Sequence, residues 1–69
     1  MKNIAVTSRI IKNVYFSPED GKLRICFKNG EERLFADVPE GAVEAMCEAT
    51  SPGQHYIDHV RTRFKRIAA

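Results

Sequence analysis

From Lys22 to Lys28 the chain alternates without exception, with Leu23, Ile25 and Phe27 on one side and Lys22, Arg24, Cys26 and Lys28 on the other. A period of two makes one apolar face only in a β-strand, so this segment predicts a strand with one side in a core. Asn29-Gly30 follows at once, and a two-residue type I′ loop of that composition, which needs positive φ at both positions, is the strongest short-range hairpin signal. The register of such a hairpin is arithmetic: Phe27 opposes Glu32, Cys26 opposes Arg33, Ile25 opposes Leu34, Arg24 opposes Phe35 and Leu23 opposes Ala36. That pairing predicts a core face of Leu23, Ile25, Phe27, Leu34 and Ala36, and an opposite face gathering Arg24, Cys26, Lys28, Arg33 and Phe35.

The flanking segments complete the outline. Ile10 to Phe16 is rich in β-branched and aromatic residues, but Ile10, Ile11, Val14 and Phe16 do not alternate cleanly. A bulge near Lys12 or Asn13 reconciles them with a strand. Ser17-Pro18-Glu19-Asp20-Gly21 reads as a turn, and residues 1–9 extend into the first strand or fray. Pro39 at a first helical position opens a helix to about Ala49, with Val43, Met46 and Cys47 at core spacing and Glu40, Glu44 and Glu48 on the far side. Ser51 as N-cap, Pro52 at the first helical position and Gln54 completing a capping box start a second helix. Its apolar stripe is Tyr56, Ile57, Val60 and Phe64. The fold predicted for residues 1–69, taken as a single domain, is α+β: a three-stranded antiparallel β-meander followed by two α-helices packed on one face.

Size and composition bound the function. A chain of 69 residues hides only about 60% of its unfolded surface, so a deep pocket would consume the side chains that hold the fold together. Binding is expected rather than catalysis. Ser8, Ser17 and Ser51 have turn or cap roles, and Cys26 and Cys47 lack an evident activating partner and read as small hydrophobes inside regular elements. There is no Gly-rich phosphate loop. His55 and His59, four apart, share a helical face without a following Glu or a third ligand, and read as a surface pair rather than a metal site. No metal and no cofactor are expected. The apolar runs are far shorter than a membrane span and no leader is seen, so a cytoplasmic protein without membrane association is expected.

The net charge of +2 is unevenly spread. Residues 1–30 carry six Lys or Arg against Glu19 and Asp20, residues 31–50 six acids against Arg33, and residues 51–69 Arg61, Arg63, Lys65 and Arg66 against Asp58. This basic, acidic, basic order fits an anion-binding surface beside an acidic one, or complementarity between neighbouring elements.

With these elements placed, the chain resembles the KTSC domain, found as a small stand-alone bacterial protein and at the C-terminus of some lysyl-tRNA synthetases. The resemblance rests on Thr7-Ser8 followed by Ile11, Val14 and Phe16, on Asn29-Gly30, on Asp37-Val38-Pro39, and on Ser51-Pro52-Gly53 followed by Tyr56, His59 and Arg61. It implies a compact sheet-plus-helix module for which RNA binding is the proposed role. Two places depart from the family pattern: Arg33-Leu34-Phe35 stands where relatives carry a central Tyr-x-Tyr, and Gln54-His55 where they often have Lys and an aromatic residue. The planar guanidinium of an Arg can itself stack on a base.

The expected function is non-catalytic binding of RNA or single-stranded nucleic acid. Arg24, Lys28, Arg33 and Phe35 are its expected sheet contacts, cations tracking phosphate while a ring stacks under a base, and Arg61, Arg63, Lys65 and Arg66 its expected phosphate contacts. The alternative is a protein-interaction module, a small phage-type regulator or inhibitor docking a host protein complex through Glu40, Glu44 and Glu48 or through a sheet edge. A monomer or a homodimer is compatible with so small a core.

Overall fold

The computed structural model describes residues 1–67; the last two positions of the expected 1–69 domain lie outside the described residues. Five strands form one antiparallel sheet in chain order: β1 (Lys2–Ile4), β2 (Ile11–Ser17), β3 (Lys22–Phe27), β4 (Glu32–Ala36) and β5 (Lys65–Ile67). Between β4 and β5 come helix α1 (Glu40–Glu48) and helix α2 (Pro52–His55), which runs on as a π-helical segment, Tyr56–Val60. The α+β class, the antiparallel meander and the two helices agree with the sequence reading, but five strands replace the expected three. The two additions are three-residue edge strands, too short to show a period.

β2 contains the expected bulge. Its pairing with β3 shifts between Ile11, opposite Phe27, and Asn13, opposite Cys26. The extra residue lets Ile11 and Val14, three apart, both point into the core.

The β3–β4 hairpin departs from the expected register by one residue. Leu23 pairs with Phe35, Arg24 with Leu34, Ile25 with Arg33 and Cys26 with Glu32. The shift is accommodated in the turn. Gly30 has φ 92° but Asn29 has no positive φ, so a type I′ loop is not formed. Instead the Gly30 N–H donates to the Phe27 carbonyl at 3.0 Å and the Phe27 N–H to the Glu31 carbonyl at 2.8 Å. This is a three-residue loop, Lys28-Asn29-Gly30, with glycine at the left-handed bulge position. The Asn29 side chain accepts the Glu31 N–H at 2.9 Å, the local bond that makes asparagine a good turn residue without positive φ. A one-residue slip exchanges the two faces of a strand. Phe35 therefore enters the core, 1% exposed, and Leu34 and Ala36 move to the outer face.

All helical cover lies on one side of the sheet. The core comprises Ile11, Val14, Phe16, Leu23, Ile25 and Phe35 from the sheet, Val38 from the link to α1, Val43 and Met46 from α1, and Tyr56 and Val60 from the π-helical segment. α1 takes Pro39 as N-cap, one residue earlier in the helix frame than expected. α2 starts at Pro52 as expected, yet the capping box is not made: Ser51 has no side-chain cap bond, and Gln54 donates to Asp58 at 3.0 Å instead. The second helix also stops short. The Arg61 N–H reaches back five residues to Tyr56 at 2.8 Å, and the chain then turns into β5. Lys65 and Arg66 consequently sit on a strand, not on a helix end. No described helix is long and apolar enough to cross a membrane.

Candidate nucleic-acid interface

The sheet-face site expected from the sequence is not assembled. Phe35 is buried and has no face to offer a base. Arg24 stays on the outer face, where its guanidinium bonds Glu32 at 2.9 and 2.6 Å. Lys65, opposite Ala36, is on that outer face too. Arg63 lies in a separate hollow of about 220 Å³ between α1 and the π-helical segment, with His55 and His59. The two histidine rings there are 4.7 Å apart. Among the described residues no group of three or more His, Cys, Asp or Glu is placed to hold a metal.

The other four expected cations, Lys28, Arg33, Arg61 and Arg66, line one cavity of about 700 Å³ on the helix side of the sheet. The register slip explains their meeting. It turns Arg33 to the same side as Phe35, and β5 pairing sets Arg66 directly opposite Phe35 on that side. Arg61 follows the π-helical segment, and Lys28 is in the hairpin loop, held by its N–H to the Ile10 carbonyl at 2.8 Å. Arg9 completes the ring of charge. Sequence reasoning missed Arg9; its place inside the Thr7 to Ile11 segment, beside the residues that carried the family resemblance, was the available signal.

Arg9, Lys28, Arg61 and Arg66 make no ion pair among the described residues. Arg33 shares its charge with Glu31 at 2.9 Å. Unneutralised guanidinium and ammonium groups around one concavity attract an anion of matching spread.

The floor of the cavity is aromatic. Tyr56 is wedged between Phe27, at a ring-centroid distance of 5.3 Å, and Phe35, at 5.9 Å, both edge to face. Phe27 is only half-buried, so part of its ring borders the cavity. Burial pushes the Tyr56 phenol above its ordinary pKa, against the opposing pull of Arg33, Arg61 and Arg66. Tyr56 counted as a core residue in the sequence reading; its helical spacing gave no sign that it also borders the cavity.

The basic cavity continues into a second hollow of about 640 Å³, bordered by Thr7, Ser8 and the Ser51-Pro52-Gly53 start of α2. Arg9, Ile10, Lys28 and Ile57 border both, which makes one groove. Ser8 holds its near wall, accepting the N–H groups of Ile10 and Ile11 at 3.2 and 3.1 Å. Gly53 keeps the walls close: a side chain there would meet Ile10 at 2.6 Å.

The comparisons with known proteins agree with this architecture. A family model, the KTSC domain, matches residues 7–64. An uncharacterized protein of Stutzerimonas stutzeri (strain A1501) is 32% identical over 56 residues, covering 81% of this chain and 79% of its own. The crystal structure of a KTSC domain protein from Yersinia pestis superposes with a TM-score of 0.86 at 22% identity, covering 99% of this chain and 96% of that one. That likeness shows the shared fold. The chain belongs to the KTSC domain family.

Proposed function

We propose that this domain binds RNA or single-stranded nucleic acid, without catalysis, in the groove between the helix side of the sheet and the Thr7–Ile10 loop. The observation that supports this reading is the meeting of Arg9, Lys28, Arg61 and Arg66, which make no ion pair among the described residues, with Arg33 over an aromatic floor. A strand laid along the groove would place its phosphates against these side chains and one base against the exposed part of Phe27. Affinity would come from phosphate contacts and carry little base preference. A cytoplasmic setting suits such a role and the two free thiols, Cys26 and Cys47.

The test is binding of a short labelled single-stranded RNA at low salt to charge-reversed variants. Arg33→Glu and Arg61→Glu lower affinity about tenfold or more. Arg24→Glu and Lys65→Glu, on the outer face, leave it unchanged. Equal losses from both sets, or no binding by the unaltered protein, would refute the groove.

A protein partner is the second reading, favoured by Glu40, Glu44 and Glu48. All three are exposed in one row along α1, with no ion pair among the described residues. Loss of a stoichiometric partner in Glu44→Lys would support it, and retention would count against it.

A further inference from the structure

A buried tyrosine normally finds a hydrogen-bond partner for its hydroxyl. Tyr56 is 5% exposed, and no described residue bonds its O–H. The oxygen is not sealed off from solvent, and the residue borders the basic cavity. Ring packing against Phe27 and Phe35 holds the phenol in place. Arg33, Arg61 and Arg66 line the same cavity, and burial raises the phenol's pKa against their opposing pull. At neutral pH its hydroxyl is a donor in a cavity that three arginines also line.

We infer that Tyr56, Arg33, Arg61 and Arg66 form a subsite for the terminal phosphate of a nucleic-acid strand, an inference that rests on the groove described under the proposed function. Charge and donor count select the strand end over its interior. An internal phosphodiester carries one negative charge and two free oxygens, whereas a phosphomonoester carries about −1.5 to −2 and three strong acceptor oxygens at neutral pH. Two guanidinium groups with no ion pair among the described residues, a third shared with Glu31, and one hydroxyl match the phosphomonoester. Guanidinium planes also suit paired oxygens better than a point charge does. From that end the strand runs past Lys28 and Arg9 toward the hollow beside Ser51.

The experiment compares one short single-stranded RNA in three forms: with a 5′ phosphate, with a 3′ phosphate, and with hydroxyls at both ends. One phosphorylated form binds about tenfold more tightly than the hydroxyl form. Tyr56→Phe, which keeps the buried ring, removes most of that preference. If all three forms bind the unaltered protein equally, the terminal subsite is wrong and the groove stands. A preference that survives intact in Tyr56→Phe overturns the role of the hydroxyl. If no form binds, the groove itself fails.

Discussion

At β4 two neighbouring apolar residues, Leu34 and Phe35, compete for the interior, and the ring takes it. A phenylalanine buries more apolar surface than a leucine, and here it also meets Tyr56 edge to face at 5.9 Å. Leu34 is left half-buried on the outer face beside Ile67. The energetic stake is large for a domain of this size. Phe35→Ala is expected to cost about 3–5 kcal/mol, comparable to all the stability that a core so small supplies. Far-ultraviolet circular dichroism with urea titration should find the variant largely unfolded in water. A change within about 0.5 kcal/mol, as for a surface position, would instead put the ring outside. Arg33, two residues away on the same strand side, gains its place at the groove mouth from the same choice.

At the level of elements, the π-helical turn and the acidic helix each carry a consequence. The extra residue in the Tyr56–Val60 turn keeps both of its end residues in the core and delivers Arg61 to the cavity, in keeping with the frequent occurrence of such turns at functional sites. α1 is polarised unfavourably at its C-terminal end. Glu40 in the first turn suits the helix dipole, but the last turn has no basic residue and ends on Glu48, one turn beyond Glu44. A carboxylate there faces the negative end of the dipole and a like charge at four-residue spacing. Glu48→Lys should therefore stabilise the protein by about 0.3–1 kcal/mol, seen as a higher urea midpoint at unchanged slope. Such a gain would show that Glu48 is held at a stability cost, as a residue retained for a partner would be. A loss would show that it has a stabilising contact in the folded protein.

Across the whole molecule the sheet separates two surfaces. Its outer face holds Arg24 paired with Glu32, while the helix side gathers along the groove Arg9, Lys28, Arg61 and Arg66, which make no ion pair among the described residues. The net charge of +2 understates that local field, which is what a phosphate backbone would meet. Binding of single-stranded RNA should weaken with salt with a log–log slope of about −3, on the order of −0.7 for each phosphate neutralised by these four cations. Arg61→Ala should reduce the slope by about 0.7, and Arg24→Ala should leave it alone. Anisotropy titrations at several salt concentrations measure both. A slope near zero would mean that the groove does not grip phosphate.

Local patterns were enough for several features. The alternation from Lys22 to Phe27, the bulge near Lys12, the turn at Gly30 and the helix start at Pro52 are each set by side-chain period or backbone chemistry within a few residues, and all appear in the structure, although Lys28 leaves the strand for the hairpin loop. What needed the tertiary structure was long-range. An Asn-Gly pair is compatible with a two- or a three-residue loop, and burial of Phe35 selects between them. Edge strands of three residues exist only because β2 and β4 offer them partners. The groove follows from those choices: Arg9, Arg33, Tyr56, Arg61 and Arg66 are scattered along the chain, and no local rule brings them together until the register and the last strand are in place.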